Sequence, residues 1–128
     1  MSVSPFKPGS YIIEEAYVVV HDADGGKAVV LTDGVLDVEK DPLDNEIVNG
    51  RAFVHNLSMV NLLEEHEKLD ILLKMGEGFC FRLTEPIIQG GKVFEKTTRS
   101  ILRFTPTSDF EQLSDEEFAQ IKKTLEIF

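Results

Sequence analysis

Three arginines are the side chains of this chain most clearly arranged for recognition chemistry. Arg82 falls in the alternating run Phe79–Thr84, and Arg99 and Arg103 fall in a second strand-like run, Val93–Phe104. A turn at Gly90-Gly91 folds these runs into a hairpin that pairs Phe79 with Leu102, Phe81 with Ser100, Glu85 with Lys96 and Ile87 with Phe94. Arg82 then stands opposite Arg99, with Arg103 further along the same face. Opposed guanidiniums repel, whereas carboxylates laid over them gain charge-assisted hydrogen bonds. We expect those carboxylates to come from residues 37–46 or 109–117, or from across a dimer interface. The functional alternative is an anionic ligand or an acidic partner.

The other chemistry-bearing residues form weaker patterns. His21, Asp22 and Asp24 precede Gly25-Gly26 like the opening of a calcium loop, but a third ligand and flanking helices are missing. Asp and Gly are also what a turn requires. Cys80 has no recognised spacing to His21, His55 or His66, and between Phe79 and Phe81 it reads as a small strand residue. Gly25-Gly26 and Gly90-Gly91 read as hairpin turns rather than a phosphate-cradling loop. The expectation is no catalytic residue, no metal and no cofactor.

Charge bounds the partners. With 13 basic and 23 acidic side chains the net charge is −10, and only residues 77–104 carry more bases than acids. Such a field opposes nucleic acid and anionic membranes and favours a basic protein partner. The 128 residues, 42% of them hydrophobic, suit one domain spanning 1–128. No apolar run reaches the roughly 18–20 residues of a membrane span, and residues 1–10 lack the apolar core of a secretory signal. The lone Cys80 excludes an internal disulfide, so a cytoplasmic setting is expected.

The elements that must position these residues follow from periodicity. Tyr11–His21 reads as one long strand interrupted at Glu14-Glu15, where regular alternation would bury one carboxylate and a bulge would spare it. Lys27–Thr32 and Val35–Glu39 read as a hairpin on Asp33-Gly34, with Leu31 opposite Leu36, Val29 opposite Val38, and Val18 and Val20 on the same face. Asn49-Gly50 reads as a second hairpin pair dividing 46–48 from 51–54. Ser58–Gly76 has helical spacing and a glycine stop, and is expected to be the central helix. Ser114 with Glu117 makes a capping box and Leu113 with Phe118 a hydrophobic staple for a C-terminal helix. Its stripe of Phe118, Ile121, Leu125 and Phe128 is expected to dock on the core or to serve as an interaction surface.

The resulting order, β-β-β-α-β-β-α, is an α+β fold with an antiparallel curled sheet, a central helix and a C-terminal helix. It is similar in order to the OB-fold, a partly open barrel. The leading functional expectation is a small acidic, non-enzymatic binding protein acting through protein–protein contacts, as an inhibitor, adaptor or chaperone-like domain, with a homodimer allowed. The alternative is an OB-type single-stranded nucleic-acid binder using the arginine face, and a small hydrolase comes third.

Overall fold

Strand β3, Gly26–Lys40, is the spine on which the molecule is assembled. The structure, a computed structural model, describes residues 6–21, 26–65, 68–90 and 99–127. Along β3, strand β1 (Gly9–Ile13) pairs with residues 34–38 and β2 (Glu15–Val20) with residues 28–31, both antiparallel. Strand β4 (Glu46–His55) runs antiparallel along residues 31–40. The remaining elements are α1 (Asn56–Glu65), β5 (Leu69–Gly76), β6 (Phe79–Leu83), β7 (Ile87–Gly90), β8 (Arg99–Thr105), β9 (Glu111–Leu113), α2 (Asp115–Thr124) and β10 (Leu125–Ile127). The sheet order is β7-β8-β4-β3-β2-β5-β6-β9, and β10 adds in parallel to residues 26–28 of β3. The fold is α+β: a mostly antiparallel sheet, curled into a half-barrel, with two helices.

Two dipeptides expected to be hairpin turns lie inside continuous strands. A two-residue type I′ turn needs left-handed backbone at both positions, and Asp33 (φ 52°) supplies it while Gly34 does not. The result is a bulge in β3 between Thr32 and Val35, which Asp tolerates well. Leu31 and Leu36 therefore share one strand instead of facing each other. Gly50 is needed for space. A Cβ there would sit 2.1 Å from Phe104 Cζ on the neighbouring strand β8. The real β3–β4 turn is at 41–45, where Asp41 Oδ1 accepts from the backbone N–H of Leu43 (2.9 Å) and Asn45 (2.8 Å).

The largest departure is at 58–76. Only the first half is helical, and Leu69–Gly76 is a strand. Leu69, Ile71 and Leu73 point into the main core with Val18, Val29, Leu36 and Phe104. Leu72 points the other way, into a second cluster with Tyr17, Val19, Ala28, Cys80, Leu113 and Phe118. A strand buried on both faces reads as a continuous apolar run, and helical and strand periods cannot be told apart in it. Helix α1 lays Met59 and Leu62 on the main core, and α2 lays Phe118 on the second cluster.

Several readings hold. The first strand breaks at Glu14, between β1 and β2, and Val18 pairs with Val29. The α2 capping box is complete: Glu117 N–H donates to Ser114 Oγ (3.0 Å) and Ser114 N–H to Glu117 Oε1 (3.1 Å). The helix ends at Thr124, and Leu125 is extended. The segment 22–25, His66 and Phe128 lie outside the described residues. Among the described residues, no helix is long and apolar enough to cross a membrane.

Candidate functional site

The three arginines do not share a face. The expected hairpin of Phe79–Thr84 with Val93–Phe104 does not form: β6 pairs with β5 and β9, while β8 pairs with β4 and β7. Gly90 faces Leu102 and Ile87 faces Thr105, so Gly90 is paired within β7 and Ile87 does not face Phe94; residues 91–98 lie outside the described residues. Pro86, which cannot donate to a ladder, follows the end of β6 and separates it from β7.

Arg82 belongs to an internal polar cluster centred on Asp70, whose side chain is 1% exposed. Arg82 Nε donates to Asp70 Oδ2 at 2.7 Å. His21 Nδ1 lies 2.9 Å from Oδ1 and 3.1 Å from Oδ2. The backbone N–H of Glu85 donates to Oδ1 at 2.9 Å. A carboxylate paired with arginine only accepts, so the proton of the His21–Asp70 contact sits on Nδ1. Adjacent-strand register brings the groups together: Val19 of β2 faces Asp70, and Arg82 of β6 faces Leu72. A buried carboxylate is tolerated only when so satisfied.

That cluster also fixes the backbone of Glu85, which has φ 44°. Left-handed backbone is costly for such a residue and persists only where its surroundings hold it. Here the N–H is held by Asp70, and the carbonyl accepts from Thr107 Oγ1 at 3.1 Å. The Glu85 carboxylate stands 3.9 Å from His21 Nε2.

Arg99 and Arg103 lie elsewhere, on the outward face of β8. Leu102 and Phe104 point inward, while Arg99, Ile101 and Arg103 point out. In register, Arg51 of β4 stands opposite Arg103 and Phe53 opposite Ile101. Arg99 lies over the Phe53 ring, 4.4 Å from its centroid, and reaches Asp33 Oδ2 at 3.2 Å. Arg51 pairs with Asp37 at 2.8 Å, and Asp37 also accepts from Ser10 Oγ at 2.6 Å. The Arg103 guanidinium has no ion pair or hydrogen bond among the described residues. The carboxylates on Arg82 and Arg99 are therefore Asp70 and Asp33, neither of them from 37–46 or 109–117. The helical reading of 58–76 hides the position of Asp70, in β5, beside Arg82.

The remaining candidates take structural positions. Cys80 is buried, and its thiol contacts Asp115 Oδ1 at 3.4 Å. Burial first, and the Asp115 carboxylate second, push its pKa up to about 11. A thiol held protonated is a poor nucleophile. His55 Nδ1 accepts from the Ser58 N–H at 3.4 Å, at the start of α1. Phe118 is buried against Tyr17, and Ile121 and Leu125 are partly buried beside it. Glu15 ties α2 to the sheet by contacting Lys122, Lys74 and the Tyr17 hydroxyl. Its pKa is lowered, chiefly by the Lys122 hydrogen bond.

The Asp70 cluster was missed by sequence reasoning. A lone acid inside an apolar run, LDILL, is the signal that marks it. Among the described residues, no group of three or more His, Cys, Asp or Glu side chains is placed to hold a metal ion. Compared with protein-family models, curated proteins and solved structures, the chain matches none.

Proposed function

We propose that this is a non-enzymatic binding protein of the inhibitor, adaptor or chaperone-like kind, acting through protein contacts at the outward face of β4 and β8. The partner feature that fits this face is an acidic segment. One observation carries the reading: the unmatched Arg103 stands directly opposite Arg51. Like charges opposed across a strand pair are unfavourable, and a partner's carboxylate would offset that repulsion. Phe53 and Ile101 supply apolar contact beside it, and such mixed aromatic–arginine surfaces are typical of binding hot spots.

The net charge of −10 works against an acidic partner at long range. At physiological salt the screening length is about 8 Å, so distant acids slow encounter while the local face decides the docked state. A second reading, an OB-type single-strand binder, is favoured by Arg99 over the Phe53 ring, since aromatic faces flanked by arginine stack bases. We infer a cytoplasmic setting from the lone Cys80.

Titrating a labelled poly-glutamate peptide and a single-stranded oligonucleotide into wild type and an Arg99→Glu/Arg103→Glu variant, over a range of salt, tests both. The first reading predicts peptide binding that the variant loses. Tighter oligonucleotide binding with a steep salt slope selects the second. Peptide binding that survives the double variant removes this face from consideration.

A further inference from the structure

A cleft of about 340 Å³ opens beside the Asp70 cluster, lined by Leu63, Lys68, Leu69, Glu85, Pro86 and Ile88. Among the described residues its lining sets two charged side chains beside apolar ones, so that its surface is at least as polar as it is apolar. Leu63, Leu69, Pro86 and Ile88 make the walls. Lys68 and Glu85 bring one charge of each sign, and they do not neutralise each other. The ion pair formed by Glu85 is with His21 at 3.9 Å, and Lys68 has none among the described residues.

Both charged residues are anchored from behind. The Lys68 carbonyl accepts from the His21 N–H at 3.0 Å. Glu85 is held in its left-handed conformation by the buried Asp70 and by Thr107. Strained, over-determined backbone at the rim of a cleft is the kind of feature that accompanies a ligand site. It fixes where the Cα–Cβ bond of Glu85 points, so its carboxylate explores less space than one on a free loop and loses less entropy on binding.

We propose that this cleft binds a small zwitterion with an aliphatic side chain: an apolar amino acid or a short apolar peptide with free termini. The ligand ammonium would pair with Glu85, its carboxylate with Lys68, and its side chain would lie on Leu63, Leu69 and Ile88. Each ionic contact is charge-assisted, and a pair of opposite charges matches a zwitterion better than any singly charged ligand. The proposal is independent of the β4–β8 face, so either can fail alone.

The test is a calorimetric or NMR titration of the full chain with L-leucine, leucyl-leucine, N-acetyl-leucine and leucinamide. Leucine or leucyl-leucine binds, and which of the two binds tighter separates the free amino acid from the peptide. Blocking either terminus weakens binding by about tenfold or more. In Glu85→Gln the advantage of a free ammonium disappears, and in Lys68→Met that of a free carboxylate, with the unfolding midpoint of each variant unchanged to show that the fold persists. Equal binding of all four compounds, no binding up to about 10 mM, or binding unaltered in both variants overturns the proposal.

Discussion

Arg82 and Arg103 carry the same guanidinium on strands of one sheet, and the molecule treats them in opposite ways. The Arg82 side chain is 16% exposed and bound to a carboxylate that is 1% exposed. Arg103 is exposed, faces another arginine, and has no ionic partner among the described residues. The difference comes from the layers around them. Strands β5 and β6 lie where the sheet is covered on both faces, by the main core on one side and by the second cluster under α2 on the other. A charge there must be paired or it unfolds the site. Strands β4 and β8 have one covered face, so their outward side chains answer only to solvent and to partners.

The sharpest way to break this comparison is to remove the carboxylate. Asp70→Ala leaves Arg82 and His21 without their acceptor and frees the strained Glu85 backbone. A loss of about 3–5 kcal/mol is expected, read by urea unfolding. Asp70→Asn keeps the shape and removes the charge, and should recover part of that loss. A loss below about 1 kcal/mol for Asp70→Ala would show that the cluster is not a structural clamp.

On the covered face of β4 and β8 the constraint is space rather than charge. Gly50→Ala places a methyl 2.1 Å from Phe104 Cζ, and overpacking of this kind costs about 1–3 kcal/mol. Combining it with Phe104→Leu should give a double variant less destabilised than the sum of the two singles. Strict additivity would show that ring and glycine do not meet.

The smallest expected effect is electrostatic, at the seam between α2 and the sheet. The Glu15 pKa is lowered from its ordinary 4.5, chiefly by the hydrogen bond from Lys122. A depressed acid contributes stability above its unfolded pKa and loses it as pH falls through the folded value. Glu15→Gln should therefore cost no more than about 1 kcal/mol at neutral pH, since the pair is partly exposed. The gap between wild type and variant should close as the pH falls below the ordinary 4.5 and through the lowered folded value. A gap that widens in acid would reverse the assignment.

How much of this was legible in the chain varies by element. Helix α2 was plain because its start signals are local: Ser114, Glu117 and the Leu113–Phe118 staple act within one turn. The break at Glu14 was legible because alternation left no other place for two adjacent acids. Strand β5 was not, because burial on both faces erases the period that distinguishes strand from helix. With β5 misassigned, Asp70 could not be placed beside Arg82, and the three arginines appeared to share a face. Asp33-Gly34 and Asn49-Gly50 misled for a different reason. The same dipeptides that build tight turns also build a bulge at Asp33 and admit a ring at Gly50, and only the neighbouring strands decide between these uses.

The division between a clamped and an open arginine is tested most directly by truncating each. Arg82→Ala and Arg103→Ala should be unfolded side by side in urea at neutral pH. Arg82→Ala is expected to lose about 2–4 kcal/mol, because the buried Asp70 is left short of its strongest donor. Arg103→Ala is expected to change stability by less than about 0.5 kcal/mol. Equal losses in the two variants, or the larger loss in Arg103→Ala, would contradict the account.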